Sequence, residues 1–283
     1  MTTLVIGARG AVGRNVLEQL VAADEPVRAS VRDLASADFP AQVPVVAADL
    51  TKPETLKSAL DGVSRVFLYA PSGSLDGFVD AALGAGVEHV VLLSSGSVLL
   101  DYATKNPIAV EHRAVEEELA GSGLRWTPIR PLVLANNALN WASSIRTDGV
   151  VELVYPEAVT APIHERDIAA VAVAALTGAT EHVSALLTGG ASLSQRQQVE
   201  VLGQELGQEI RIEELSETQA LAKFGEFGDP QTAAAIIELI AAAANGGSPT
   251  TDTARKVLGR PPLPFSHWVR DHAADFRRSP VGS

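Results

Sequence analysis

Residues 6–15, with the sequence IGARGAVGRN, contain three glycines spaced three residues apart. They follow the apolar run TLVI at residues 3–6, which predicts a short strand before them. Gly7 lies where the chain must turn tightly, and a residue without Cβ suits such a turn. Gly10 lies where a backbone can approach a pyrophosphate, and Gly13 lies where a helix can pack closely on a strand. The stretch therefore predicts a strand, a glycine turn and a helix that together bind a dinucleotide.

The helical pattern begins at Ala11, directly after the turn. The N–H groups at Ala11 and Val12 have no partners within a helix, and they lie at the positive end of its dipole. Both features favour an anion, so these amides are predicted to face the phosphates. The strand-turn-helix context favours a dinucleotide site over a turn with a purely structural role.

The first half of the chain alternates short β-branched runs with longer helical patterns. Such alternation is typical of an α/β fold with a doubly wound parallel sheet of the Rossmann type. We predict a NAD(P)-binding Rossmann domain at residues 1–150 and a smaller mixed α/β substrate-binding lobe at residues 151–283. A strand near residues 183–189 is expected to return to the sheet of the first domain.

Composition and net charge exclude several classes of function. Hydrophobic residues make up 46% of the 283 residues and the net charge is −12, which indicates a globular protein and opposes binding to nucleic acid. The chain has no cysteine, so disulfides, thiolate catalysis and cysteine-ligated metals are excluded. It has no basic N-terminal leader and no apolar run long enough to cross a bilayer, so a cytoplasmic protein without membrane contact is expected. A homodimer is one expectation for its assembly.

The end of the second predicted strand distinguishes NADP(H) from NAD(H). An acidic residue there would bind the ribose 2′-hydroxyl of NAD, but the chain has Arg32 after Val31. A guanidinium fits a 2′-phosphate, and Arg9 in the glycine turn can reach the same corner. NADP(H) is therefore preferred. The alternative is that Arg32 pairs in solvent with Asp33, which is itself a suitable cap for the following turn.

Asp49 and Leu50 end the third predicted strand and are candidates for the adenine pocket. The Asp49 carboxylate can accept a hydrogen bond from the adenine amino group. It can equally cap the next helix, because Pro53 marks a helix start just beyond it. The sequence leaves these two alternatives open.

Further candidates follow from the rule that ligands bind at the carboxyl ends of parallel strands. Ser95 is a catalytic candidate at the end of the fifth strand, although it and its neighbour can also cap the next segment. Asn137 is expected near the nicotinamide, and Trp141 offers either a flat wall for an aromatic substrate or ordinary core packing. The other cofactor-binding candidates at strand ends are Tyr69, Ala70, Pro71, Ser94 and Pro131.

These motifs resemble those of the NmrA-like family of atypical short-chain dehydrogenase/reductases. The similarity lies in the glycine turn, Arg32, ADL at 48–50, SS at 94–95, NN at 136–137 and RDIA at 166–169. Residues 111–131, EHRAVEEELAGSGLRWTPIRP, are most similar to the branch containing type 2 quinone oxidoreductases and triphenylmethane reductases. The resemblance implies a Rossmann fold and NAD(P)H chemistry, and the family also includes non-catalytic redox sensors.

Typical short-chain dehydrogenases use a tyrosine and a lysine four residues apart on one helix face. Here Tyr102 and Lys105 are three apart, and Pro107 follows almost at once. The stretch therefore favours a loop, although Tyr102 stays a catalytic candidate.

His112 is the main catalytic candidate. By helical spacing it shares an inward face with Ile108, Val115 and Leu119, and it matches the histidine of the quinone reductase branch. Its imidazole can hydrogen-bond the nicotinamide ribose or assist protonation. The alternative is a structural histidine that a backbone carbonyl or Glu116 satisfies.

No metal is predicted. His164, Glu165 and Asp167 lie close in sequence, but Asp167 is expected to cap the alanine-rich helix that follows. Trp268 is expected to pack the final helix.

The missing tyrosine–lysine pair suggests a reaction class. Reduction of a simple carbonyl needs a proton as hydride arrives, whereas a quinone or similar conjugated electrophile delocalises the charge until solvent supplies the proton. The sequence thus predicts an NADPH-dependent reductase of a quinone-like small molecule. A non-catalytic NADP(H) sensor is the first alternative, and a biosynthetic reductase or isomerase acting on an aromatic intermediate is the second.

Overall fold

The computed structural model describes residues 1–71, 73, 75–226 and 229–277. The strands are β1 Thr2–Val5, β2 Val27–Val31, β3 Val45–Ala47, β4 Val63–Tyr69, β5 His89–Leu93, β6 Trp126–Pro131, β7 Val150–Leu153, β8 Val159–Thr160, β9 Leu186–Leu187, β10 Leu193–Ser194 and β11 Arg211–Glu214. The helices are α1 Ala11–Ala22, α2 Pro53–Ala59, α3 Asp76–Ala85, α4 Pro107–Gly121, α5 Ala142–Asp148, α6 Glu165–Leu176, α7 Gln195–Leu206, α8 Glu217–Gly225, α9 Pro230–Ala244, α10 Thr253–Leu258, α11 Phe265–Asp271 and α12 Ala273–Phe276.

The main sheet has seven strands in the order β3-β2-β1-β4-β5-β6-β9. All of its pairings are parallel. The order reverses beside β1, which places the carboxyl ends of β1 and β4 on either side of a crevice. The predicted doubly wound Rossmann-type sheet is confirmed.

Both faces of this sheet are covered by helices. On one face, α1 and α6 pack against buried side chains such as Val5, Phe67 and Ile129. On the other face, α2, α3 and α4 cover a second core that contains Leu68 and Phe78. Burial on both faces explains why these strands are almost continuously apolar.

The later part of the chain adds two small sheets and a third core. Strand β11 pairs in parallel with β7, and β10 pairs antiparallel with β8. Trp268 of α11 is fully buried in the third core, as predicted, stacked on Phe265. Among the described helices, none is both long and apolar enough to span a bilayer.

The division of the chain at residue 150 stays a prediction, and its end at residue 283 lies outside the described residues. Beyond that division, β9 pairs with β6 and α6 packs on α1. Arg65, near the start of β4, joins the end of α6 to the main sheet. It donates to the carbonyl of Leu176, which ends α6, and pairs with Glu25 at 2.6 Å.

His89, at the start of β5, is buried inside the sheet. Its Nε2 lies 2.9 Å from Thr127 Oγ1, and its enclosed Nδ1 has no hydrogen-bond partner in the described part of the chain. Burial, followed by the positive charges of Arg125 and Arg65, lowers the pKa of His89 from 6.5 to about 4. The folded protein therefore keeps this ring neutral.

This lowered pKa predicts an acid-dependent loss of stability. Between pH 6.5 and about 4 the unfolded chain binds a proton at His89 that the folded chain rejects, so the free energy of unfolding falls as pH falls through that window. His89→Gln, whose side-chain amide can still meet Thr127, should reduce the slope. Urea denaturation of both proteins across the window measures it, and equal slopes would contradict the prediction.

Candidate cofactor and substrate site

The glycine turn forms as predicted between β1 and α1. Gly7 has a φ of +78°, which favours glycine, and its carbonyl accepts a hydrogen bond of 2.9 Å from Gly10 N–H. A Cβ added to Gly13 would lie 2.3 Å from the Gly7 carbonyl oxygen. Only a residue without a side chain can occupy position 13 while α1 lies this close to the turn.

Gly10 has no such steric requirement. Its φ is −70°, and a Cβ added there would lie 3.3 Å from the Gly7 oxygen. It is the N-cap of α1, and no side chain caps the helix or places an acid in its first turn. The first amides of α1, at Ala11 and Val12, are therefore left without a side-chain acceptor, which is the condition for binding a pyrophosphate.

Two guanidinium groups accompany this turn. Arg9 and Arg32 are exposed, and neither forms a hydrogen bond or ion pair with a described residue. Asp33 caps the 3₁₀ turn after β2 by accepting from Ala35 N–H at 3.0 Å, as predicted. Arg32 does not pair with Asp33, so the structural alternative for Arg32 is not supported.

Of the two alternatives for Asp49, the structure does not show the one in which it caps α2. Lys52 occupies the N-cap position, and Asp49 Oδ1 instead accepts from the backbone N–H of Thr51 at 3.0 Å and from its hydroxyl at 2.7 Å. These hydrogen bonds lower the pKa of Asp49, to which Lys52 and Arg32 contribute as nearby charges. The carboxylate is thus ionised beside the half-buried Leu50, and its contact with adenine stays a prediction.

The carboxyl end of β4 lies beside the glycine turn. The Tyr69 ring is 40% exposed and stands so close to Gly7 that a Cβ there would be 2.8 Å from its Cδ1. Ala70 and Pro71 are half-buried, and Ala70 N–H donates to the Leu93 carbonyl of the next strand. The predicted residues of this edge are thereby brought together.

The two serines after β5 have different partners. Ser95 Oγ accepts from Ser97 N–H at 3.2 Å and lies 2.9 Å from Ser97 Oγ, so it caps the 3₁₀ turn Gly96–Leu99. Ser94 is buried and donates to Glu116 Oε1 at 2.6 Å. The capping alternative thus holds for Ser95, while Ser94 belongs to a charged network.

Glu116 is the centre of that network. Arg130 of β6 binds both of its oxygens, Nε to Oε1 at 2.9 Å and an Nη to Oε2 at 2.5 Å. Arg130 also donates to the carbonyl of Ser184, just before β9. Sequence reasoning considered Glu116 only as a partner for histidine and did not consider Arg130, although a buried charge on an apolar helix face signals a need for a counterion.

His112 lies one turn before Glu116 on α4 and is half-buried. Its Nδ1 is enclosed and has no hydrogen-bond partner among the described residues. Glu116 is bound to Ser94 and Arg130, so it is not the partner of His112 Nδ1, and a structural role for the histidine stays an alternative. Burial lowers the pKa of His112 more than Glu111 and Glu116 raise it, so the ring is neutral near pH 7.

Tyr102 and Lys105 precede α4, which begins at Pro107. Tyr102 lies in a short 3₁₀ turn, and its hydroxyl donates to the Gly247 carbonyl at 2.8 Å. Burial and then Glu238 raise the pKa of Tyr102, which is the opposite of what a proton-donating phenol needs. The two residues share no helix face, as the sequence indicates.

The segment after β6 forms the other side of the crevice. Pro131 is buried at the end of the strand, and a 3₁₀ helix spans Ala135–Trp141. Asn137 is exposed, whereas Trp141 is half-buried against the third core. Trp141 therefore packs as core on one side and leaves the rest of its surface open.

The prediction that Asp167 caps α6 is wrong. The N-cap is His164, whose Nδ1 accepts from Arg166 N–H at 3.2 Å. Asp167 instead accepts from Arg260 at 2.7 Å and from Leu263 N–H at 2.6 Å, so it holds the segment before α11. The cluster of His164, Glu165 and Asp167 that the sequence suggested as an unlikely metal site does not form.

Asn106 is a structural residue that the sequence analysis missed. It is buried, caps α4 through Ile108 N–H, and donates to the Ala235 carbonyl and to Glu238 of α9. The pair Asn-Pro at 106–107 is a helix-start signal that could have located it. Together with Tyr102 it ties the His112 helix to the later part of the chain.

Comparison with known proteins identifies the family. A family model described as NAD(P)H-binding matches residues 7–179, which contain the glycine turn, His112 and both sides of the crevice. The chain belongs to this NAD(P)H-binding family.

Two curated relatives match almost their whole length. A (4-alkanoyl-5-oxo-2,5-dihydrofuran-3-yl)methyl phosphate reductase from Streptomyces griseus subsp. griseus is 35% identical over 289 residues, covering 96% of this chain and 98% of the relative. An NAD(P)H azoreductase from Xenophilus azovorans is 34% identical over 285 residues, with the same coverage of 96% and 98%.

Among solved structures, an NADPH-dependent quinone oxidoreductase of a new type from Escherichia coli is 26% identical with a TM-score of 0.77, covering 97% of this chain and 100% of that chain. A second structure of that enzyme contains NADPH. The predicted NAD(P)H-dependent oxidoreductase is thereby confirmed, and the quinone reductase of the predicted branch is among the structural neighbours.

The closeness of α1 to the turn gives a test of the cofactor site. Gly13→Ala should lower the free energy of unfolding by about 1–3 kcal/mol, because the added methyl overpacks against the Gly7 carbonyl, and should weaken NAD(P)H binding as α1 shifts. Thermal unfolding and fluorescence titration with the cofactor measure the two effects.

Gly84→Ala is the matched control for this substitution. Gly84 is also within a helix, but a Cβ added there meets nothing within 4 Å. It should leave cofactor affinity unchanged and keep or raise stability. Equal behaviour of the two variants would show that position 13 does not depend on glycine.

Proposed function

We propose that this chain transfers a hydride from NADPH to a conjugated small-molecule electrophile, such as a quinone. The observation that carries the proposal is that no described residue supplies a proton-donating phenol where typical short-chain dehydrogenases have one. The hydroxyl of Tyr102, the tyrosine of that region, donates a hydrogen bond to the Gly247 carbonyl, and its pKa is raised. Hydride addition must then produce a charge that the acceptor itself can spread.

The activities for which the relatives are named support this reaction class. A quinone, an azo compound and a 4-alkanoyl-5-oxo-2,5-dihydrofuran each have a π system that accepts hydride at one end and spreads the charge to the other. Bound NADPH supplies the hydride, and solvent protonates the acceptor afterwards. These three acceptors differ in size and charge, so their shared feature is conjugation.

His112 would provide the polar contact beside the reacting ring. Because burial keeps it neutral near pH 7, it serves better as a hydrogen-bond partner of the ribose or the acceptor than as a strong acid. Its enclosed Nδ1 has no partner among the described residues, so a ligand reaches that atom only if the ring turns. Glu116 and Arg130 hold the helix that carries it.

The preference for NADPH rests on Arg9 and Arg32. Neither forms an ion pair with a described residue, although Arg32 interacts with Asp49 at longer range, and both are exposed near the turn that would hold the pyrophosphate. A 2′-phosphate supplies the negative charge that these two groups lack. Asp49 is the competing acid nearby, but its oxygen is already bound by Thr51.

The proposed reaction predicts selectivity for conjugated acceptors. NADPH oxidation, followed by absorbance, should occur with at least one of a para-quinone, an azo dye and an acyl butenolide, and should be negligible with an unconjugated aliphatic ketone. Comparable turnover of the ketone would contradict the proposed chemistry. Binding of NADPH without oxidation by any acceptor would favour a redox sensor.

The cofactor preference predicts that Arg32→Gln weakens NADPH binding roughly ten- to a hundredfold, which corresponds to the loss of one or two charge-assisted hydrogen bonds. NADH binding should change little. Arg125→Gln is the control, because Arg125 is also exposed but lies at the amino end of β6, beyond reach of the cofactor. Calorimetric titration of both cofactors measures the effect, and equal weakening of NADPH and NADH would remove Arg32 from the phosphate site.

A further inference from the structure

Histidine and aspartate side chains gather where the start of α6 meets α11. Among the described residues, His164, His267 and Asp271 each offer one ligand atom, and these atoms lie within 4.8 Å of one another. His164 Nε2 is 3.3 Å and His267 Nδ1 is 3.5 Å from the same oxygen, Oδ2 of Asp271. The three residues come from chain segments about 100 positions apart, so only the fold brings them together.

The two nitrogen–oxygen distances match those around a tetrahedral zinc ion, and the two histidine nitrogens lie within 4.8 Å of each other. Zn²⁺ binds histidine nitrogen and carboxylate oxygen at about 2.0–2.2 Å, so two ligand atoms on a tetrahedron lie roughly 3.3–3.5 Å apart. Direct hydrogen bonds between the same groups would be shorter, mostly about 2.7–3.2 Å. The contact of His164 with Asp271 is a long hydrogen bond of 3.3 Å, and both nitrogen–oxygen distances fall in the range that a bound ion requires.

The polar atoms around the cluster support the same conclusion. His267 Nδ1 is enclosed and has no hydrogen-bond partner among the described residues, although it faces a carboxylate. A lone pair that points at a negative oxygen is unfavourable unless a cation lies between them. Buried polar atoms are normally paired, so this unpaired nitrogen indicates a missing positive group.

His164 has the environment of a metal-binding histidine. It is 1% exposed, and its Nδ1 lies 3.2 Å both from Arg166 N–H and from Glu165 Oε2. Glu165 Oε2 is itself enclosed without a hydrogen-bond partner. As N-cap, His164 Nδ1 accepts from Arg166 N–H, so Nε2 carries the proton and faces Asp271. To bind an ion at Nε2, that proton must leave and Nδ1 must take one, which it then donates to Glu165 Oε2, as in the carboxylate–histidine–zinc arrangement.

Arg166 at present neutralises part of this charge. One of its Nη atoms is 3.0 Å from Asp271 Oδ2, and half of its side chain is exposed. A metal ion would take that oxygen, and the guanidinium would turn towards solvent. Arg166 is therefore a competitor for the site and not a part of it.

We propose that His164, His267 and Asp271 bind a divalent transition-metal ion of the zinc type, with water as the fourth ligand. The ion clips α11 to the start of α6. His164 follows Ile163, which pairs with Leu134 in the segment that borders the crevice. The bound ion therefore holds the final helices against the substrate side of the site. This structural role is independent of the proposed hydride transfer.

Titration of the full-length, chelator-treated protein with ZnCl₂ tests this proposal by calorimetry. We expect one ion per chain, with affinity at least tenfold lower in His267→Gln and in Asp271→Asn. His182→Asn, which removes an exposed histidine outside the cluster and suits its positive φ of 63°, should leave the affinity unchanged. Zinc binding that none of these substitutions alters, or no binding at all, would overturn the proposal.

A gain of affinity separates the proposal from misfolding. Arg166→Gln removes the competing cation and should tighten zinc binding several-fold, which no loss of structure can produce. Unchanged or weaker binding in this variant would contradict the proposed use of Asp271 Oδ2. On the wild-type protein, Co²⁺ should give the intense visible bands of a tetrahedral site, and an octahedral spectrum would also overturn the assignment.

Discussion

The close approach of helix α1 to the turn at Gly7 is the contact on which the cofactor site depends. With a Cβ at position 13 only 2.3 Å from the Gly7 carbonyl, the helix could not begin where it does. Its position leaves the first amides of α1 uncapped at the carboxyl edge of the sheet, and its buried face carries α6. One missing side chain therefore fixes both the anion-binding amides and the packing behind them.

A second constraint holds the opposite side of the crevice. The buried pair of Glu116 and Arg130 joins α4 to β6, while Ser94 ties the same carboxylate to the end of β5. Such a pair gains little stability by itself, because desolvation of both charges offsets their attraction. Its geometry is specific, however, since two hydrogen bonds orient the carboxylate and fix the rotation of α4. His112, one turn away, is thereby held towards the sheet and receives no partner from Glu116.

The sequence predicts the sheet, the glycine turn and the residues at the strand ends because those features depend on local patterns. Gly7, Gly10 and Gly13 lie within seven residues, and the alternation of strands and helices determines a parallel sheet with few possible orders. Predictions failed where contacts are distant in sequence. Asp167 resembles a helix cap in its local context. Its carboxylate is bound instead by Arg260 and by Leu263 N–H, more than 90 residues later.

His164 is a second case in which contacts distant in sequence prevented prediction. Histidine is not among the preferred N-cap residues, so its role at the start of α6 has no strong local signal. Its partners Asp271 and His267 are visible only after the final helices have packed against α6. Asn106 differs, because the following proline marks a helix start and its capping role was open to prediction. What could not be predicted was its second role, the contacts with α9.

The backbone holds the segment after β6, while its exposed side chains are free to vary. This difference explains how one fold can accommodate different acceptors. The segment after β6 is held by backbone hydrogen bonds of 2.9–3.0 Å, from Leu132 to Leu187, from Ala135 to Ile163 and from Ile163 to Val133. Since none of these bonds depends on side-chain identity, the exposed Asn137 can be replaced without moving the segment. The cofactor site, by contrast, depends on Gly7 and Gly13, which no other residue can replace without strain. In the proposed function, relatives that share the turn bind the same kind of cofactor, and the side chains beyond Pro131 are where their acceptor sites can differ.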